Sequence, residues 1–342
     1  MEKEVVVYKD EKYYSSFPCV EKLANDELIV IFRRAPQREP YSSHLDSESA
    51  AVLVRSEDGG NTWAAPELVY KKKYGVQDPS VRKLKDGTLI SSFFQWKVVK
   101  EHPFNHSVAG TFILRSSDQG KHWDSEAIFV NAPGYEEPAI SEPVLELPDG
   151  SMLIPLYKGH TAFTMRSEDK GQTWKDLVVV GTDPFGNLSF QEPTLCLTKG
   201  GKIICMMRTP PSHYLFQSES LDGGKTWSLP RQKGDIWGFP ANLLALSDGR
   251  ILVTYGYRRP PYGVRGCISE DEGNTWNLKD EIIIRLDGLH GDLGYPSSVE
   301  ISPNKILTVY YFHTGQEADR EFSGHYSMPP GTRYIAGSFY KV

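Results

Sequence analysis

Three carboxylates and a tyrosine stand immediately before prolines that open a repeated segment of the sequence. The segment has the form x-Pro-x-x-x-x-Leu-x-Asp-Gly-x-Leu-Ile and occurs six times. The residues before its prolines are Phe17, Asp78, Glu142, Glu192, Phe239 and Tyr295. Carboxylates that meet in a concave pocket suit glycoside chemistry, because one group must donate a proton while another stabilises positive charge. For Asp78 and Glu142 a simpler interpretation stays open, in which each bonds backbone N–H groups at a strand start.

The repeated segment also predicts the elements that position these side chains. Each copy reads as a strand, a tight Asp-Gly turn and a second strand, with alternating or continuous apolar residues. The copies span residues 17–34, 78–96, 142–159, 192–208, 239–258 and 295–312. Equivalent positions of a repeat lie at equivalent places in a repeat fold, so we expect the six pre-proline residues to converge.

A second repeat, Ser-x-Asp-x-Gly-x-Thr-Trp, alternates with the first and occurs five times, with His122 replacing the threonine in one copy. The copies span residues 56–63, 116–123, 167–174, 220–227 and 269–276, so their tryptophans are 60, 51, 53 and 49 residues apart. The composition is that of a hairpin turn: Ser and Asp bond local backbone N–H groups, and Gly supplies a positive φ. The near-constant period indicates a modular fold.

Together the two repeats predict an all-β fold, a six-bladed β-propeller with five of the Ser-x-Asp-x-Gly turns. Each unit supplies four strands around a central channel. The C-terminal residues 333–342 should form the outer part of the last blade, and residues 5–8 should pair with them to close the ring. No composition break divides the chain, which predicts a single domain over residues 1–342.

Composition excludes several classes of partner. The net charge is −6 and no basic block is present, which argues against nucleic acid and anionic membranes. No stretch approaches 18 apolar residues, so we expect no membrane span. The four cysteines show no metal-binding or disulfide spacing, and we expect no metal or organic cofactor. No signal peptide is visible, which favours a cytoplasmic protein, or a secreted or periplasmic one if a leader has been removed.

The sequence resembles the sialidase (neuraminidase) superfamily. Its Ser-x-Asp-x-Gly-x-Thr-Trp phrase is similar to that family's Asp-box, or BNR repeat, and the six-bladed propeller is the family's fold. The resemblance covers essentially the whole chain. It implies that Tyr295, in Gly-Tyr-Pro-Ser, is a tyrosine nucleophile, a known exception among retaining glycosidases. It implies further that Glu192 is the base that assists Tyr295 and that Asp46, in a Ser- and Pro-rich loop, is the acid/base.

The same resemblance implies a clamp of arginines for the substrate's carboxylate. Arg208, sixteen residues after Glu192, matches the second clamp arginine. Arg265 is the preferred third member and Arg258 the alternative. The first clamp arginine is missing, because Ser16 stands at its position.

Two other arginines, Arg33 and Arg34, end the same predicted hairpin as Ser16 and could reach the pocket. Asp78, Glu142, Trp96 and Tyr257 are candidates for contacts to sugar hydroxyls and rings.

The resulting prediction is a retaining, sialidase-like exo-glycoside hydrolase that removes terminal sialic acid or a related acidic sugar from a glycan. Two alternatives remain. One is another glycosidase or a polysaccharide lyase on the same propeller, using His44 or His290 with Tyr295. The other is a propeller that binds glycans without catalysis. A Tyr–Glu pair argues against pure binding, since binding alone has no need of it. The oligomeric state is left open.

Overall fold

The computed structural model describes residues 2–38, 44–99, 102–314 and 331–342. These residues form 24 β-strands, and none of them is in an α-helix. The first twelve strands are β1 (Lys3–Tyr8), β2 (Tyr13–Lys22), β3 (Leu28–Pro36), β4 (Ala50–Ser56), β5 (Glu67–Tyr70), β6 (Gly75–Lys83), β7 (Leu89–Val99), β8 (His102–Ser116), β9 (Ile128–Phe129), β10 (Leu145–Glu146), β11 (Met152–Lys158) and β12 (Thr161–Ser167). The others are β13 (Lys175–Gly181), β14 (Gln191–Leu197), β15 (Ile203–Arg208), β16 (Tyr214–Ser220), β17 (Arg231–Trp237), β18 (Ala241–Ala245), β19 (Ile251–Tyr257), β20 (Tyr262–Ser269), β21 (Ile282–Gly288), β22 (Gly294–Ser302), β23 (Lys305–His313) and β24 (Arg333–Lys341).

The strands form six four-stranded antiparallel sheets, the blades of a β-propeller. Blades 1 to 5 are the successive sets β2–β5, β6–β9, β10–β13, β14–β17 and β18–β21. Blade 6 has the order β22-β23-β24-β1, so the N-terminal strand is its outer edge. The predicted fold and the predicted closure of the ring by both chain ends are therefore confirmed.

The Ser-x-Asp-x-Gly phrases form the turns between the third and fourth strands of blades 1 to 5. In the first, Gly60 N donates to Ser56 Oγ over 2.8 Å, and Thr62 N and Oγ1 donate to the Asp58 carboxylate over 2.9 and 2.6 Å. These bonds to Thr62 hold the pKa of Asp58 well below its usual value. Gly60 has a φ of 91°, and a Cβ there would lie 2.9 Å from Leu307 Cδ2. Glycine is required both for its conformation and for the close approach of blade 6.

The core lies between blades. Six apolar clusters occupy the six blade interfaces; the one between blades 2 and 3, for example, joins Ile90 and Ile113 to Ile154 and Phe163. Each Asp-box tryptophan packs against the cluster that its blade shares with the preceding blade. A fully buried Ile or Phe contributes about 1.5–3 kcal/mol. Interface packing therefore holds each inner strand, and the residue that opens it, at a defined place on the ring.

All four cysteines are buried and free. In the described part of the chain, no group of three or more His, Cys, Asp or Glu side chains could hold a metal ion. No described segment forms a helix of the length and apolar character needed to cross a membrane.

Candidate active site

Four of the six pre-proline residues share an unusual backbone conformation. Phe17, Asp78, Glu192 and Tyr295 have φ values of 56°, 46°, 49° and 48°. Each lies at a β-bulge, where the pairing with the second strand of its blade shifts register. Left-handed φ values are costly for residues other than glycine, and such strain is concentrated at functional sites. The bulge re-aims the side chain at the mouth of the central channel.

Tyr295 and Glu192 meet in the channel, two blades apart. The Tyr295 hydroxyl donates to Glu192 Oε1 over 2.5 Å. Arg208 Nη1 donates to both oxygens of the same carboxylate over 3.0 and 3.2 Å. Burial, and then the negative charges of Glu192 and Asp78, raise the pKa of Tyr295 well above its usual value. The phenol is therefore neutral at rest, and it can act as a nucleophile only if Glu192 accepts its proton.

Two arginines flank one aromatic ring beside this pair. The guanidinium carbons of Arg208 and Arg258 lie 4.3 and 5.1 Å from the centroid of Phe239, and that of Arg258 lies 5.5 Å from Tyr295. Arg258 donates to Leu293 O over 3.0 Å and to a tyrosine hydroxyl over 3.3 Å. It forms no ion pair with any carboxylate in the described ranges. Arg208 Nε is buried and has no hydrogen-bond partner there.

Asp78 and Glu142 are buried and bonded to side chains of neighbouring segments. Ser141 Oγ donates to Asp78 Oδ2 over 2.7 Å, and Asn242 Nδ2 donates to Glu142 Oε2 over 3.0 Å. Burial raises the pKa of each to about 8. No backbone N–H bond to either carboxylate is found within the described residues, contrary to the simpler interpretation. A cavity of about 10 Å³, roughly the space of one water molecule, is lined by Tyr295, Glu142 and Ser141.

A second buried network, centred on Asp292, adjoins the first. Its carboxylate accepts hydrogen bonds from Tyr14 OH at 2.9 Å, Tyr311 OH at 3.1 Å and Arg333 Nε at 2.7 Å, and His44 Nε2 lies 3.3 Å away. Burial alone would raise the pKa of Asp292, but the Arg333 charge and His44 outweigh it and hold that pKa well below the usual range.

Sequence reasoning did not find the Asp292 network. The one local signal is that Asp292 lies three residues before Tyr295. Tyr14 and Arg333 come from opposite ends of the chain and meet Asp292 only because the propeller closes.

Phe17 joins the two networks. Its ring centroid lies 4.5 Å from that of Tyr295, 4.9 Å from that of His44 and 5.3 Å from that of Tyr311. Arg258 bridges them by a second route, because its Nη2 donates to Tyr311 OH. The nucleophile candidate thus sits against a preorganised polar network that is itself anchored by Asp292.

Asp46 and Arg33 lie on the blade 1 side. The Asp46 carboxylate accepts from Arg38 Nε over 2.9 Å and from Glu48 N over 2.8 Å. Arg33 is fully buried, is the register partner of Ser16, and donates from Nη2 to His44 O over 2.9 Å. Part of the predicted Ser- and Pro-rich loop, residues 39–43, lies outside the described residues.

The structure does not bring Arg265 or Arg34 to the cluster. Arg265, on the third strand of blade 5, donates to Glu281 Oε2 over 2.6 Å and lies 3.4 Å from the Tyr257 ring centroid. Arg34 stacks on Tyr13 at 4.4 Å. Arg258, the predicted alternative, contacts Tyr295 and Phe239 instead, because it directly follows the second strand of blade 5. Arg258 and Arg265 lie on either side of the turn that connects β19 to β20, and sequence spacing alone does not show which of the two contacts Tyr295.

Two other predicted candidates have packing partners. Trp96 packs against the cluster between blades 2 and 3. His290 stacks on His313 with centroids 3.6 Å apart and accepts a bond from Asp292 N over 3.2 Å. Burial lowers the pKa of His290 to about 3, so it is neutral near pH 7 and supports the Asp292 backbone.

Comparison with known proteins places the chain in a family. The family model of the BNR repeat-like domain matches residues 41–306. The chain belongs to this family. The BNR repeat-like chain is 30% identical to a protein of unknown function from Dyadobacter fermentans, with a TM-score of 0.87 and coverage of 100% of this chain and 98% of that chain. Among curated proteins, none matches the sequence.

Solved structures of lower identity that share the fold include enzymes. NanB sialidase from Streptococcus pneumoniae is 13% identical, with a TM-score of 0.75 and coverage of 98% of this chain and 70% of that chain. The α-L-arabinanase of Penicillium chrysogenum is 14% identical, with a TM-score of 0.67 and coverage of 99% and 97%. The sialidase-like propeller is thus a fold shared with sialidases and an arabinanase. At these identities the likeness is one of fold.

Proposed function

We propose that this protein is a retaining exo-glycoside hydrolase of the sialidase type, acting on a terminal sialic acid or a related acidic sugar. The observation that carries the proposal is the hydrogen-bonded chain Tyr295–Glu192–Arg208, with Arg258 on the other side of Phe239. A propeller that only binds glycans has no need of a half-buried phenol that donates its proton to a carboxylate.

In the proposed reaction Tyr295 Oη attacks the anomeric carbon as the bond to the leaving-group oxygen breaks. Glu192 accepts the phenol proton over the existing 2.5 Å bond, and Asp46 donates a proton to the leaving group. A glycosyl–tyrosine intermediate results. Water deprotonated by Asp46 then attacks the same carbon, and the proton returns from Glu192 to Tyr295. Each displacement inverts the centre, so the net configuration is retained.

The charges of the pocket favour an anionic substrate. Glu192 compensates Arg208, and Asp292 compensates Arg333. Arg258 has no carboxylate partner among the described side chains, and Arg208 Nε has no acceptor. A partly buried cation without an anionic partner is unfavourable. A carboxylate placed between these two arginines, over Phe239, would satisfy both.

The protonation of Asp78 points the same way. Its pKa of about 8 means that this carboxyl is mostly neutral at pH 7 and does not cancel the arginine charges. Its Oδ1 atom is buried without a partner among the described residues. A neutral carboxyl can donate or accept a hydrogen bond to a sugar hydroxyl.

The test is hydrolysis of a fluorogenic aryl α-sialoside by wild type, Tyr295→Phe, Asp46→Ala and the control Tyr340→Phe, which removes a buried phenol bonded to Thr308. We expect turnover by wild type and Tyr340→Phe, and a fall of at least about a thousandfold in kcat for Tyr295→Phe. Asp46→Ala should be impaired less, because an aryl leaving group needs little acid assistance.

Other results would change the proposal. If the wild type does not hydrolyse the aryl α-sialoside but cleaves a different acidic or neutral aryl glycoside, the proposed mechanism would stand and the proposed sugar would change. An unsaturated sugar product would instead support a lyase. Full activity of Tyr295→Phe would refute the tyrosine nucleophile.

A further inference from the structure

An aromatic and cationic surface lies on the rim of the channel mouth at blades 4 and 5. We call it the blade 4–5 rim, and it consists of His213, Trp237, Tyr257 and Arg259. Trp237 ends β17, Tyr257 ends β19 and His213 follows β15. All three chain positions lie at the mouth, because the inner strands begin there and the second and fourth strands end there.

The rim is held in one arrangement by its own contacts. The Arg259 guanidinium carbon lies 4.4 Å from the Trp237 ring centroid, and Arg259 Nε donates to Tyr257 OH over 2.6 Å. Arg265 supports the Tyr257 ring at 3.4 Å and is itself fixed by Glu281. Arg265, expected to bind substrate directly, therefore acts from beneath the rim. Cation–aromatic contacts of this kind order both partners.

Arg259 is available to a ligand. Its side chain is exposed, whereas Arg258, its neighbour, turns into the pocket. Arg259 forms no ion pair with any acidic side chain in the described ranges, although most other arginines of this chain do. The guanidinium keeps N–H donors that Tyr257 does not use.

The rim is continuous with the pocket through Phe239. That ring carries Arg208 and Arg258, and it also stacks on His213 with centroids 4.7 Å apart and meets Trp237 at 6.1 Å. The cavity that Tyr295 lines together with Glu142 and Ser297 has a volume of only about 10 Å³, which is too small for a sugar. We therefore expect a glycan held between the pocket arginines to extend past Phe239 toward the blade 4–5 rim.

We infer that the blade 4–5 rim is a second subsite, which binds the sugar on the leaving-group side of the scissile bond. The inference rests on the proposed function. The half-buried Trp237 ring contacts the apolar C–H face of the sugar, and Arg259 donates to the hydroxyl or acidic oxygens of that sugar. A glycan then spans two sites: its terminal acidic unit at Arg208 and Arg258, and its next unit at the rim.

The test compares two substrates that share the terminal sugar. α-Sialyl fluoride releases fluoride and places nothing on the rim, whereas α-sialyl-lactose carries a two-sugar leaving group. Arg259→Ala should raise KM for sialyl-lactose about five- to tenfold and change KM for the fluoride less than twofold. Trp237→Ala should act in the same direction, with its melting temperature measured to detect misfolding. Arg231→Ala, an exposed arginine at the opposite end of β17, is the control and should alter neither substrate.

Equal effects of Arg259→Ala on both substrates, or none on either, would overturn the rim subsite while leaving the hydrolase intact. If wild type cleaves neither compound, saturation-transfer NMR of sialyl-lactose with wild type and Arg259→Ala decides. A signal from the lactose protons that Arg259→Ala abolishes upholds the rim and refutes hydrolysis of sialosides. Absence of that signal from wild type refutes both.

Discussion

At the scale of single residues, the site depends on which side chains neutralise each arginine. Glu192 serves both Tyr295 and Arg208, so its carboxylate must hold the nucleophile's proton without losing the arginine. Arg258 is held differently, by a backbone carbonyl and by Tyr311, and no carboxylate neutralises it among the described residues. Its charge remains available to a substrate, and its orientation depends on neutral partners.

Removal of the Tyr311 hydroxyl tests that orientation. Tyr311→Phe deletes the acceptor for Arg258 Nη2 and one donor to Asp292, while the bond from Arg258 Nε to Leu293 O persists. One such hydrogen bond is worth about 1 kcal/mol, or about fivefold in an equilibrium. We expect KM for an acidic substrate to rise about fivefold and kcat to stay within about twofold. Steady-state kinetics check this.

Tyr310→Phe is the matched control, because Tyr310 is the adjacent buried tyrosine and its hydroxyl is hydrogen-bonded to Ser338 instead of to Arg258 or Asp292. It should leave KM unchanged. A fall in kcat at constant KM for Tyr311→Phe would show that the hydroxyl acts on the chemical step and not on Arg258.

At the scale of elements, the bulges at the starts of the inner strands place the chemistry. Blade 3 departs from the others: its inner strand β10 is only Leu145–Glu146, preceded by a single bridge between Ala139 and Tyr157. The irregular segment between them carries Ser141 and Glu142 into the channel. An ordinary strand pairing was predicted there, and the short strand leaves Glu142 bonded to Asn242 of blade 5 instead.

The Glu142 carboxyl in this segment makes the free energy of unfolding depend on pH. Burial raises the pKa of Glu142 from 4.5 to about 8. Below pH 4.5 the carboxyl is protonated in both the folded and the unfolded chain. As pH rises from 4.5 to 8, only the unfolded chain releases the proton, so the free energy of unfolding falls, and the full loss is reached above pH 8.

Glu142→Gln removes this titration with little change of shape. The free energy of unfolding of Glu142→Gln, relative to that of wild type, should be higher at pH 8.5 than at pH 5. Urea unfolding at both pH values measures this difference. Glu300→Gln, which alters a half-buried carboxylate on β22 that accepts a hydrogen bond from Ser247, is the control and should show no such gain. A stability difference between Glu142→Gln and wild type that is independent of pH would contradict the raised pKa.

At the scale of the whole molecule, the two interleaved repeats were sufficient to predict the fold. Blade number, blade composition and closure by both chain ends follow from the repeat count and from the leftover terminal segments. The pre-proline position also predicted that Tyr295 and Glu192 face one channel, and the structure places their side chains in contact.

The remainder of the site depends on distances that a repeat does not encode. Arg258 directly follows β19 and Arg265 lies seven residues later on β20, and the course of the turn between these strands decides which arginine contacts Tyr295. The Asp292 network joins residues up to 319 positions apart, from Tyr14 to Arg333, across the closing blade. Its members carry no common motif, so pattern analysis could not assemble them.

The central claim is that Tyr295 is the nucleophile, and covalent trapping tests it most directly. A 2,3-difluorinated sialic acid loses its anomeric fluoride on attack, and the second fluorine slows hydrolysis of the intermediate. After incubation and proteolysis, mass spectrometry should find the added sugar on the peptide containing Tyr295, and Tyr295→Phe should remain unlabelled. Inactivation with the sugar attached to another residue, or turnover of a sialoside with no adduct on Tyr295, would contradict the assignment.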